Sequence, residues 1–425
     1  VSTVLDGPTA PRGRGTVPYP AEVARHPLAQ DEPGAPPDEP DAGLDAGLDA
    51  GLDAEPNAGP NAGPDAGPVS AVDTARDQAV LPPDEWLALA TAHAERADAL
   101  TAVWRAARAE GRKHAIEDFL FTYYPTRIAH LRRWHPGAGV ALLLPRTGVT
   151  SPADGGSSNG SGANNGAPDP DDRTTLRWHR TTRLDGAAHG GANYDGAAHD
   201  GANYDGAAQD GAGQDVVDLD AAAFLADRGD TVRYVRDLLA ATSSRPGTFG
   251  CFGLHEWAMV YRDREAGRDQ RHPLPLRLGH AGTDAVVEAN PVRCSHFDAF
   301  RFFTPEATPR NQLQPTRAAQ VGMEQPGCLH ANMDLYKWCL KLGPAVPGDL
   351  LLDAFELARD IRWTDMAASP YDVSGYGVPA VQIETPQGKA EYVRRQREFA
   401  QRSGELRLRL LRACDAVLDA APAES

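Results

Sequence analysis

The sequence predicts a mainly α-helical protein with a minor β element. Most segments after residue 79 place apolar residues at helical spacing, whereas few short apolar runs read as strands. Two stretches, 1–78 and about 146–216, are rich in Gly, Ala, Asp and Pro and lack apolar periodicity. The expected organisation is a disordered low-complexity tail, 1–78, then a helical globular domain, 79–425, interrupted by a flexible insertion at about 146–216.

The tail repeats GLDA at 43, 47 and 51, then runs through EPNA, GPNA and GPDA. Its apolar surface is too small to offset an ordering entropy of roughly 1–2 kcal/mol per residue. Residues 79–113 read as helix, with Pro82-Pro83-Asp84 at the start and Trp86, Leu89, Leu100, Val103 and Trp104 as apolar positions. Short helices follow at 116–124 and 126–134, separated by Pro125 and closed by Pro136-Gly137. VALLL, 140–144, reads as a buried strand or a loop start, and TTLRWHRTTRL, 174–184, as a strand candidate. Three tandem decapeptides begin at 185, 195 and 205; their Gly and Ala content points to an unstructured insertion rather than a metal site.

Residues 219–243 read as two helices broken at Gly229, and 249–262 as one helix. Strand and helix signals mix in 276–290. PVRCSHFDAFRFF, 291–303, alternates like a strand. Helices follow at 327–341 and 348–361, then a loop around Gly375-Tyr376-Gly377, a short strand VQIE, and a last helix, 388–402 and 405–420, interrupted near Gly404.

The net charge of −17 sits in two segments. Residues 1–76 carry net −9 and residues 151–220 net −8, so the remainder is balanced. The acidity therefore argues neither for nor against a nucleic-acid partner. Five Cys without a CxxC pair make no disulfide framework. No apolar run is long enough to span a membrane, and a soluble cytoplasmic protein of open oligomeric state is expected.

Chemistry-bearing residues concentrate between 248 and 340. Cys294, His296 and Asp298 share one face if their segment is a strand. His330 and Asp334 stack at i, i+4 on a helix. Two CxH elements, Cys294/His296 and Cys328/His330, offer four ligands for a tetrahedral zinc. Glu256, beside His255 and Trp257 in apolar sequence, is a candidate buried carboxylate with a raised pKa. Tyr123, Tyr124, Arg127, Arg132 and Arg133 interleave aromatics with bases, as a phosphate-contacting, base-stacking surface does. Each group also has a plain structural reading: edge strand, surface pair, wet helix face, or Arg-rich helix over a core.

The stretches EDFLFTYYPTRIAHLRRWHPG, FGLHEWAMVYR, RCSHFDAFRFFTPEATPRN and GCLHANMDLYKWCLKLGP together resemble an actinobacterial family usually labelled 3-methyladenine DNA glycosylase. The resemblance covers roughly 79–145 and 218–421. It implies hydrolysis of the N-glycosidic bond of alkylated purines in DNA, without a cofactor, and a flipped base in an aromatic pocket. On that reading Glu256, Asp298 or Asp334, with His255, supplies the catalysis. Trp257, Phe300, Tyr336 and Trp338 line the pocket, and the Tyr123–Arg133 stretch holds DNA. The alternative is a helical metalloenzyme acting on a small molecule, with zinc or iron on His296, His330, Cys294, Cys328 and nearby carboxylates.

Overall fold

The computed structural model describes residues 79–145, 178–184, 214–264 and 274–420. The chain divides at Arg76–Asp77, and every described residue belongs to the second unit. The expected tail and the three decapeptides, apart from Gln214, lie outside the described residues.

The unit is mainly helical with one small sheet. Strand β1 (Ala79–Leu81) is followed by helices α1 (Pro83–Leu100), α2 (Ala102–Ala109), α3 (Phe119–Thr122) and α4 (Ile128–Arg132). Next come β2 (Val140–Leu143), β3 (His179–Leu184) and β4 (Gln214–Leu219). The helices that follow are α5 (Ala221–Ser243), α6 (Leu254–Ala258), α7 (Gly279–Ala289) and α8 (Phe297–Phe300). The last are α9 (Gln320–Met323), α10 (Leu329–Leu342), α11 (Gly348–Ala368) and α12 (Pro386–Ala420).

The sheet order is β1-β2-β4-β3. β1 and β2 run parallel, so the chain between them crosses over through α1 to α4. Trp86 on α1 donates its indole N–H to Leu143 O on β2, which ties the crossover to the sheet. β3 pairs antiparallel with β4, and Arg180 clamps the buried Asp218 directly opposite it with two hydrogen bonds. The inferred insertion, 146–216, thus contains all of β3 and the first residues of β4. Helix α1 starts with Pro83 in its first turn and Asp84 and Glu85 behind it, both favourable at a helix N-terminus.

Helix α11 is buried nearly all round, with Leu350, Phe355, Leu357, Ala358 and Ile361 in the core. A helix buried on most sides needs neighbours on most sides. α10 and α12 pack against it, and α1 also touches it. No helix among the described residues is long and apolar enough to cross a membrane.

Several local expectations are corrected. Gly229 does not break α5, which runs unbroken from an Asp220 cap accepting from the Ala223 N–H. One helical Gly costs about 1 kcal/mol, and the burial of Phe224, Val232, Val235, Leu238 and Leu239 outweighs it. α12 likewise passes through Gly404. The segment 249–262 holds only the five-residue α6, because Phe252 (φ 50) and Gly253 (φ 71) precede it in the left-handed region and Arg262 (φ 53) follows it. PVRCSHFDAFRFF is not a strand. The Asn311 side chain accepts from Cys294 N and donates to Cys294 O, substituting for a neighbouring strand. The chain then turns into the single-turn α8. VQIE is a turn tied to α11 by Val381 N–H to Ala367 O.

Replacing Gly229 by Ala tests the unbroken α5. The added methyl meets only the end of the Arg233 side chain, which is half exposed and free to swing away. The variant is expected to gain about 0.5–1 kcal/mol and melt about 1–3 °C higher. A lower melting temperature would mean that Arg233 is held in place.

Candidate functional site

Three sequence-distant motifs meet beneath α10. Its sequence places His330, Asp334 and Lys337 at i, i+4 and i+7, one face of the helix. His255 comes from α6, His296 from the residue before α8, Glu324 from the end of α9 and Asp365 from α11. All seven are enclosed or nearly so; His296, Asp334 and Asp365 are essentially inaccessible. The three imidazoles form a row: His330 meets His255 edge-on at 4.4 Å between centroids and stacks on His296 at 5.4 Å.

The row serves two clusters of different character. In the first, His255 Nε2 stands 3.1 and 3.2 Å from the oxygens of Asp365. Its Nδ1 lies 3.6 Å from Cys251 Sγ. Both ring nitrogens are engaged. Burial disfavours a charged ring, but Asp365 and then Cys251 outweigh it, so the His255 pKa lies well above the ordinary value.

In the second cluster, His296 Nε2 lies 3.3 Å from Asp334 and 3.5 Å from Glu324. Neither contact meets hydrogen-bond geometry, and among the described residues neither ring nitrogen of His296 has a hydrogen-bond partner. Proximity of the two carboxylates still raises the His296 pKa against the effect of burial. Burial, with Asp334 nearby, pushes Glu324 up. Asp334 behaves oppositely: burial works to raise it, but Lys337 and His296 hold it ionised well below the usual range. His330, buried and flanked by His255, is pushed well down and stays neutral.

Outer contacts fix these groups. Tyr124 donates its hydroxyl to Asp334 at 3.0 Å. Lys337 Nζ bridges Asp298 at 2.8 Å and Asp334 at 3.1 Å. Gln320 donates to Glu324 Oε1 at 2.5 Å. Arg317 reaches Asp298 from the exposed side at 3.0 Å. Arg362 on α11 donates to Glu256 at 3.0 Å and lies 3.8 Å from Asp365.

A cavity of about 20 Å³ adjoins the row, lined by Cys251, His255, Cys294, Cys328, His330, Tyr392 and Gln396 among others. It has room for a molecule of about two heavy atoms.

The residues singled out from sequence therefore part company. His255, His296, His330, Asp334 and Asp298 are brought together. Glu256 adjoins them, but as the buried partner of Arg362. Cys294 and Cys328 line the cavity, while the groups that gather within 4.8 Å, His255/His330/Asp365 and His296/Glu324/Asp334, contain no cysteine. The CxH pairs thus do not converge as four ligands. Trp257, Tyr336 and Trp338 are buried in the main core, and Phe300 is half-buried against Phe303; none lines the cavity. Tyr124 points inward to Asp334, Tyr123 stacks on Phe119 at 4.7 Å, Arg132 pairs with Asp98, Arg133 is half-buried and Arg127 is exposed. Cys251, Glu324, Asp365 and Lys337 were missed. For Lys337 a signal existed, since it continues the His330–Asp334 face. For Glu324 and Asp365 none did: Glu324 lies outside every predicted element, and Asp365 lies beyond the helix predicted over 348–361.

No family model matches the chain, and neither the curated proteins nor the solved structures contain a significant match.

Removing Glu256 takes a hydrogen-bonded carboxylate from the buried Arg362 guanidinium, which keeps a 3.8 Å contact to Asp365. Glu256→Ala is expected to cost roughly 3–5 kcal/mol of stability in denaturant unfolding. A cost below about 1 kcal/mol would place the pair among weak, solvated ones.

Proposed function

We propose that this chain is a helical metalloenzyme acting on a small molecule, with the metal held by His296, Glu324 and Asp334. The observation that carries the reading is the bare His296 nitrogen facing two buried carboxylates at 3.3 and 3.5 Å. Metal–ligand bonds near 2.0–2.2 Å set tetrahedral ligand atoms about 3.4 Å apart. Lys337 pairs with Asp298 and Asp334, and Arg317 and Arg301 add to Asp298 at the outer edge.

One imidazole and two carboxylates suit zinc, iron or manganese. Such an ion supplies Lewis acidity or a more acidic bound water. The chain's own residues hold the ligands: Lys337 and Tyr124 orient Asp334, and Gln320 orients Glu324. His330, neutral and stacked on His296, keeps a further positive charge away from them.

The DNA-glycosylase reading draws on the same meeting point. The stretches that carry that resemblance supply His255, His296 with Asp298, and His330 with Asp334. It calls for a pocket of purine size and for no metal.

Metal analysis of the full chain, purified without a His-tag, separates the two. Near-stoichiometric zinc, iron or manganese is expected, reduced about tenfold or more in His296→Ala and Glu324→Gln. Chelation of the wild type should lower its melting temperature, because a ligand at 1,000 times its Kd stabilises by about 4 kcal/mol. A metal-free protein that releases 3-methyladenine from alkylated DNA would replace the metalloenzyme with the glycosylase.

A further inference from the structure

Outside the proposed metal ligands, the first cluster has the form of an activated nucleophile. Cys251 Sγ, His255 and Asp365 stand in line: sulfur to Nδ1 at 3.6 Å, then Nε2 to the carboxylate at 3.1–3.2 Å. A nucleophile reaching a base, with that base oriented by a third group, is the arrangement of covalent catalysis. Asp365 accepts the Nε2 proton, so Nδ1 is the ring atom that exchanges a proton with the thiol.

The backbone agrees. Phe252, directly after Cys251, has φ 50 and Gly253 has φ 71. An aromatic residue in the left-handed region is strained, and such strain gathers at functional turns. Here it turns the half-buried Cys251 towards a ring nitrogen one helical turn on.

The cavity restricts what can arrive. At about 20 Å³ it exceeds the roughly 10–15 Å³ that one water needs and accepts a molecule of about two heavy atoms. Gln396 lines it; its amide N–H is spent on Gly327 O, while among the described residues its buried Oε1 has no hydrogen-bond partner. The occupant is therefore small and carries a hydrogen-bond donor.

We propose that Cys251 is a peroxide-reactive thiol, that His255 and Asp365 activate it, and that the adjoining cavity takes hydrogen peroxide. The inference uses none of His296, Glu324 or Asp334, and it stands without the metal. The thiol proton passes to His255 Nδ1. The sulfur attacks the nearer peroxide oxygen and the O–O bond breaks. The distal oxygen leaves as hydroxide and takes the proton from His255 to become water. Sulfur is oxidised to the sulfenic acid and the peroxide is reduced. Cys294 and Cys328 line the same cavity, but among the described residues the Cys251 sulfur is the one that meets a ring nitrogen, while the Cys294 thiol turns to His296 O, which makes Cys251 the attacker.

The test exposes the full chain to hydrogen peroxide, traps sulfenic acid with dimedone and reads all five cysteines by peptide mass spectrometry. Cys251 is expected to label about tenfold or more faster than Cys294, Cys328, Cys339 and Cys414, and about tenfold faster in the native chain than in urea. Asp365→Asn should slow it about tenfold, and tert-butyl hydroperoxide should react more slowly than hydrogen peroxide. The native-against-urea comparison holds even if the Asp365 variant fails to fold. Equal labelling of Cys251 in native and unfolded chains, or an undiminished rate in a folded Asp365→Asn, overturns the proposal.

Discussion

Asp334 and Lys337, one turn apart on α10, set the terms for everything packed around them. An ionised carboxylate with essentially no solvent contact persists only if its surroundings supply compensating charge and hydrogen bonds. Lys337 does so and reaches Asp298 beside α8 with the same ammonium. Tyr124 completes the shell from the end of α3. On the other side of the row, Arg362 does the same for Glu256 and Asp365. α3, α6, α8, α10 and α11 are thus registered against one another by charges as well as by apolar packing. Sliding α10 by one turn would leave both ions facing hydrocarbon.

The row of imidazoles joins two clusters that behave differently. His255 holds a proton between a thiol and a carboxylate, and His296 faces two carboxylates. His330 lies between them and is kept neutral by burial and by its charged neighbour. A neutral ring there separates two sites of positive charge that would otherwise repel across a low-dielectric interior. The two clusters can therefore hold protons or ions with limited interference.

How much of this was legible follows from the kind of signal each element leaves. Long amphipathic segments such as α1, α10 and α11 were readable because apolar spacing is a local property. The single-turn α8 was not, since Cys294, His296 and Asp298 alternate as a strand does. What decides against the strand is the Asn311 side chain, which is distant in sequence and takes the backbone bonds of Cys294. Gly229 and Gly404 misled because a breaker was weighed without the packing that overrides it. The gathering of His255, His296, His330 and Asp334 was foreshadowed by polar groups in apolar sequence. Their partners Glu324 and Asp365 were hidden, because no local pattern says which carboxylates a distant histidine will meet. Reading Trp257, Tyr336 and Trp338 as a pocket failed to allow for their use as core, with the Trp257 indole already bonded to Ala368 O.

α12 is about 52 Å long at the usual rise per residue and packs on α5, α10 and α11 at once. Tyr392 and Gln396, which close the cavity, both lie on it. On the ribosome it emerges after α1 to α11 have been made, and chains build structure in that order. During that interval α5 has no partner for the face it later buries, and the thiols and carboxylates of the row stay within reach of water and ions. Assembly of this protein thus has a period in which its interior is open to loading, and the arrival of α12 ends it.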